Sequence, residues 1–163
     1  MLMQSLPWWE MMLRLLLALL LGIAVGLNRE RARKPAGVKT LSLVCLGSAL
    51  VMLVSIDLFF LFHGDQNNID PGRIAAQVVT GVGFLGAGSI IHAEGGLVSG
   101  LTTAASIWAV AGIGLACGAG LYLLAAMATL LAVGSLAVLN WLMPTSEKQG
   151  RSAKKNLGRR RTL

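Results

Sequence analysis

Charged side chains placed inside or beside apolar runs are the residues of this chain best suited to chemistry. Asp57 is the single carboxylate within the apolar spans, and a carboxylate there suits cation ligation. A magnesium carrier, however, must replace a tightly held water shell with oxygen ligands or pass the hydrated ion through an acidic pore, so one acid is a thin basis for a path. Asp57 could pair with Arg14 or Arg73, and with Asp70 these residues would make a polar cluster at one membrane surface. Glu10 and Arg14 are four residues apart, share a helix face and neutralise each other, which reads as an ion pair that orients the first helix.

Other chemistries find little support. No nucleophile stands beside a base, and Ser99, Ser106 and Thr102 in apolar surroundings serve to cap or bridge helices, so no enzymatic activity is expected. The two cysteines, Cys45 and Cys117, fall near opposite ends of their helices, roughly 20 Å apart at 1.5 Å rise per residue, and no disulfide is expected. No Cys/His spacing resembles a metal site, and His63 and His92 belong to opposite surfaces, so no metal or cofactor is expected. Gly81-Val82-Gly83-Phe84-Leu85-Gly86 matches G-x-G-x-x-G, but a phosphate loop needs a preceding strand and an exposed helix start, whereas this copy lies inside an apolar span.

The elements that carry these residues follow from composition. With 163 residues, 55% apolar, 13% charged and a mean hydropathy of +0.72, the chain is too apolar for an ordinary soluble domain. Requiring about 20 apolar residues per crossing gives five spans: Met11–Leu27, Thr40–Phe62, Ile74–Ile91, Leu101–Ala116 and Leu121–Met143. The last two meet at Cys117-Gly118-Ala119-Gly120, where two glycines favour a tight hairpin over one long rod. The expected architecture is an all-α membrane protein, a bundle of five transmembrane helices occupying residues 1–143, followed by a disordered basic tail over 144–163.

Charge distribution orients the bundle. Two clusters, Arg29–Lys39 and Lys148–Arg161, hold all but two of the 14 Lys and Arg residues. Both prefer the cytoplasm, and the four spans between them satisfy that parity. The amino terminus is therefore expected outside and the carboxyl terminus inside. The segment His63–Gly72, which has Asp65 and Asp70 and no basic residue, falls outside. Trp8, Trp9, Tyr122 and Trp141 fall at interfaces. No cationic region precedes the first apolar run, so that helix is expected to be retained. The net charge of +7 is better matched to anionic lipid headgroups than to nucleic acid, because the basic residues flank apolar runs instead of striping a soluble face.

The centre of the chain is rich in small residues. Asp70 and Pro71 signal a helix start. Gly81, Gly83, Gly86 and Gly88 then leave the third helix nearly bare, with Gln77 and Thr80 able to hydrogen-bond across a contact. The fourth helix follows Thr102, Thr103 and Ala104 with Gly112, Gly114 and Gly118, so a tight antiparallel pair of helices three and four is expected. Intramolecular packing could consume these ladders entirely; otherwise they leave a face for other helices or for a homo-oligomer.

The run Asp70–Ile91, followed by Gly100-Leu101-Thr102-Thr103-Ala104-Ala105-Ser106-Ile107-Trp108, together with Gly26-Leu27-Asn28-Arg29-Glu30 and Lys34-Pro35-Ala36-Gly37-Val38-Lys39-Thr40, resembles the MgtC/SapB family of bacterial inner-membrane proteins. The resemblance covers about Arg14 to Trp141. It implies a multi-pass inner-membrane protein linked to magnesium limitation and acid stress. In the best-known members it implies inhibition of the F-type ATP synthase through membrane contacts, and older labels imply magnesium transport. It marks Arg14, Asn28, Arg29, Glu30, Lys39, Asp70, Arg73, Gln77, Thr102 and Thr103 as family-motif polar residues. Many relatives carry Glu where this chain has Asn28, and virulence-type members carry a soluble carboxy-terminal domain, so the short branch of the family is expected. Arg29 and Glu30 are expected to be sensitive to substitution, and Arg31 and Arg33 tolerant. A modulator of membrane partners, possessing small-residue faces but few acids, is favoured over an ion transporter.

Overall fold

The computed structural model describes residues 6–62, 70–92 and 98–142. The described residues form five helices, α1 (Trp8–Arg31), α2 (Val38–Phe62), α3 (Pro71–Gly88), α4 (Leu101–Gly118) and α5 (Tyr122–Leu142), and a short two-stranded ribbon. Three of them, α1, α2 and α4, are long and apolar enough to cross a membrane. The third, α3, falls short because Arg73, Gln77 and five glycines dilute its 18 residues, and the apolar part of α5 runs over Tyr122–Val138. Residues up to Val133 form one compact unit and those from Gly134 onward a second. The basic tail, His63, Asp65 and the side chain of Trp141 lie outside the described residues.

Helix ends follow local chemistry. Pro7 precedes α1 in extended conformation and its carbonyl accepts from the Glu10 and Met11 amides, while Glu10 at the start and Arg29 and Arg31 at the end complement the helix dipole. Asp70 caps α3 by accepting from the Gly72 amide at 2.8 Å, with Pro71 at the first helical position, as the sequence leads one to expect. The α4–α5 break is a glycine-capped turn. Gly120 sits at φ +79, its amide donates to the Cys117 carbonyl and the Leu121 amide to that of Ala116, satisfying the last carbonyls of α4. Between α3 and α4 lies a two-stranded antiparallel ribbon, Ile91–His92 paired with Val98–Ser99, where the sequence suggests only a continued helix and a short turn. The third helix accordingly stops at Gly88 and not at Ile91.

Within the compact unit α1 packs on α2 and α4, and α3 packs on α2 and α4. Glycines set the closest approaches. A Cβ at Gly22 would lie 2.8 Å from both Cys45 Cβ and Ser42 Cα, and one at Gly26 would lie 2.6 Å from Val38 Cα. Further along the same face of α2, a Cβ at Gly114 would overlap the Cys45 carbonyl and lie 2.8 Å from Ser48 Cβ, and one at Gly118 would lie 2.7 Å from Met52 Cβ. Gly22, Cys45 and Gly114 therefore meet at one level, where three backbones approach because two of them lack a side chain.

This arrangement corrects two expectations. The glycines of α4 face α2 and not α3: Gly114 and Gly118 pack on α2, while Gly112 meets nothing within 4 Å. Of the α3 glycines only Gly86 touches α4, at an ordinary 3.6 Å from Ala104, and Gly81, Gly83 and Gly88 are open. The cysteines are also much closer in level than 20 Å. Because α4 begins at the level of the end of α1, Gly114 is level with Cys45, and Cys117 stands only about 4.5 Å further along the axis. Both thiols are free and buried.

Candidate functional site

The buried stripe of α1 reads Arg14, Ala18, Gly22, Val25, Gly26, Arg29, so two guanidinium groups share one face with the apolar core. Arg14 is 8% exposed and Arg29 3%. Each reaches α4. At one end, Arg14 Nη1 donates to the Gly118 carbonyl at 2.7 Å while Nη2 pairs with Glu10. At the other, Arg29 Nη2 donates to Thr103 Oγ1. Arg14 and Arg29 are fifteen residues apart, as are Thr103 and Gly118, so at 1.5 Å per residue both pairs of anchors span roughly 22 Å. The two antiparallel helices are stapled at both ends in one register.

Each anchor carries added structure. Gly120, in the left-handed region, leaves room for the Arg14 guanidinium, since a Cβ there would lie 3.0 Å from Nη2. Glu30, beside Arg29, turns to α2: its Oε2 accepts from the Val38 amide at 3.0 Å, placing negative charge at the α2 amino terminus. Gly37 makes that approach possible, because a Cβ there would stand 3.0 Å from the same oxygen. Arg29 and Glu30 thus tie the end of α1 to α4 and to α2. Arg31 and Arg33, both exposed, belong to the connecting turn, and Arg33 adopts φ 53.

Several polar atoms remain unsatisfied inside. Arg14 Nε, Asn28 Oδ1, Arg29 Nε and Asp57 Oδ1 are buried without a hydrogen-bond partner. Three interior hydroxyls return to their own helices: Ser48 donates to the Val44 carbonyl at 2.8 Å, Ser106 to the Thr102 carbonyl at 2.7 Å and Thr129 to the Ala125 carbonyl at 2.8 Å. The expected outer cluster does not form: Arg14 pairs with Glu10 instead of Asp57, Asp70 caps its own helix, and Arg73 and Gln77 are exposed on α3. Thr102 and Lys39 are exposed as well. Among the described residues no group of three His, Cys, Asp or Glu is placed to hold a metal ion.

The α3 surface is the other unusual feature. Among its described residues Val82 and Gly86 alone are buried, whereas Ala76, Thr80, Gly83 and Ala87, spaced four, three and four apart, are all exposed beside Phe84 at 78%. That spacing lines up small residues along one face, away from the rest of the unit.

The family model described as the MgtC family matches residues 15–144. The chain belongs to the MgtC family. Among curated relatives, Protein SapB of Bacillus subtilis is 39% identical over 142 residues, covering 85% of this chain and 61% of its own. YhiD of Escherichia coli, whose name proposes a magnesium transporter, is 48% identical over 117 residues, covering 69% and 53%. Protein MgtC of Salmonella typhimurium is 44% identical over 119 residues, covering 73% and 48%. The chain spans between about half and three fifths of the length of these MgtC-family relatives. No solved structure matches it.

Sequence reasoning singled out Arg14, Arg29, Glu30 and Thr103, and the structure gives each a partner. Gly22 went unremarked and Gly26 stood only as the first residue of a family motif, although the four-residue spacing of these two closely packed glycines of α1 is itself a small-residue signature.

Proposed function

We propose that this chain is a non-enzymatic, multi-pass protein of the bacterial inner membrane that modulates membrane partners such as the F-type ATP synthase under magnesium limitation or acid stress. Five spans cross the bilayer, with the amino terminus outside and the carboxyl terminus in the cytoplasm. The carrying observation is the exposed ladder of Ala76, Thr80, Gly83 and Ala87 on α3. In lipid, helices associate through close backbone approach and interhelical hydrogen bonds, not through burial of apolar area, so a small-residue face turned outward suits a second helix better than it suits acyl chains. Exposed Gln77 and Arg73 on the same helix add donors to such a contact. Meanwhile the two arginines that would be costly in lipid are engaged in holding α1 to α4, which gives α3 a rigid support.

Ion transport is the second reading, favoured by the unpartnered Asp57 Oδ1 and by the name of the Escherichia coli relative. Two experiments separate them. Co-purification of ATP-synthase membrane subunits with the full chain, weakened by Gly83→Leu, supports the modulator. Saturable magnesium entry into dye-loaded liposomes, lost in Asp57→Asn, would replace it with a carrier.

A further inference from the structure

A crevice of about 440 Å³ opens sideways between α2 and α3, with an almost wholly apolar lining. Leu43, Gly47 and Val51 form its wall on α2, and Val78, Gly81 and Leu85 its wall on α3. Glycines at a helix contact normally bring two backbones together. Here they do the opposite: a Cβ on Gly47 or on Gly81 would meet nothing within 4 Å. An open gap of this kind forfeits dispersion contacts on its lining, and in a bilayer the material at hand to restore them is an acyl chain.

The α2 wall continues into a charge. Lys39, Leu43, Gly47 and Val51 recur every four residues and so form one continuous ridge inclined to the helix axis, with Lys39 exposed one turn beyond the crevice. Its ammonium has no carboxylate partner among the described residues. From Lys39 to Val51 the helix rises about 18 Å, close to the roughly 15 Å depth of one leaflet's hydrocarbon. Exposed Arg31 and Arg33 add positive potential at the same end.

We propose that the α2–α3 crevice is a binding site for one anionic phospholipid of the leaflet on the Lys39 side, with its phosphate on the Lys39 ammonium and an acyl chain between Gly47 and Gly81. The site is separate from the outward ladder of α3 and does not depend on what that ladder docks.

The test is native mass spectrometry of the full chain released from nanodiscs containing phosphatidylglycerol and phosphatidylethanolamine with identical acyl chains. The wild type should retain one lipid with preference for phosphatidylglycerol. Gly81→Leu fills the crevice where no neighbour stands and should abolish retention. Gly112→Leu, which adds the same side chain at an equally open position of α4, should leave it unchanged. Lys39→Gln should reduce the preference about fivefold, the factor corresponding to roughly 1 kcal/mol for one basic residue at an anionic surface, and Lys39→Arg should restore it. Equal retention in wild type and Gly81→Leu would overturn the proposal, as would equal loss in Gly81→Leu and Gly112→Leu, which would mark a nonspecific lipid belt. Loss of a co-purifying protein instead of a lipid in Gly81→Leu would assign the crevice to a partner helix and overturn it too.

Discussion

Adding one methyl group to each of six glycines separates buried from open positions more sharply than any other perturbation of this molecule. At Gly114 a new Cβ overlaps the Cys45 carbonyl and lies 2.8 Å from Ser48 Cβ; at Gly26 it lies 2.6 Å from Val38 Cα; at Gly22 it lies 2.8 Å from Ser42 Cα. Each obstacle includes backbone, which cannot turn aside as a flexible side chain can. Overpacking of this kind costs about 1–3 kcal/mol, offset by up to about 1 kcal/mol gained when alanine replaces glycine in a helix. At Gly81, Gly83 and Gly112 no atom stands within 4 Å, so only the gain applies. Gly22→Ala, Gly26→Ala and Gly114→Ala should therefore lie about 1–3 kcal/mol below Gly81→Ala, Gly83→Ala and Gly112→Ala in stability, because the helix gain is common to both sets. Reversible unfolding in mixed micelles of increasing denaturing-detergent fraction, followed by circular dichroism, measures the difference. Destabilisation by Gly83→Ala equal to that by Gly114→Ala would refute the packing derived above and restore the expected α3–α4 glycine contact.

Further outcomes follow from the anchors. Arg29→Ala should lower assembly into the membrane, and Thr103→Val, which removes one hydrogen bond to a charged donor, should destabilise by about 1–2 kcal/mol in the same unfolding assay. Glu30→Ala removes the carboxylate over the α2 amino terminus and should cost about 1 kcal/mol, whereas Arg31→Ala and Arg33→Ala should remain within about 0.5 kcal/mol of wild type. Arg14→Met should expose the α4–α5 turn to proteolysis in detergent, because the Gly118 carbonyl loses its donor, and Glu10→Gln should do so less.

The helices were legible in the sequence because each is a long apolar run bounded by local signals: Asp70-Pro71 at the start of α3, Cys117-Gly118-Ala119-Gly120 at the end of α4. The Glu10–Arg14 pair was legible for the same reason, both residues lying on one helix within one turn. Lateral packing was not. A helix apolar on every side does not advertise which face meets which neighbour, so glycines intended for α2 read as partners for α3. Nor does length reveal relative depth: α4 starts level with the end of α1, which brings Cys117 near the level of Cys45. The Glu30 contact with Val38 crosses a turn whose path depends on Arg33 and Gly37, and the ribbon at Ile91–His92 is too short for an alternating pattern to register.

The proposed docking face of α3 is tested most directly by photocrosslinking in native membranes. A photoreactive residue is placed in turn at Ala76, Thr80, Gly83 and Ala87, and at Gly81 and Leu85 as exposed positions off that face. Crosslinks to ATP-synthase membrane subunits from the first four positions, absent from the last two, are the predicted result. Crosslinks to lipid alone from all six would contradict it.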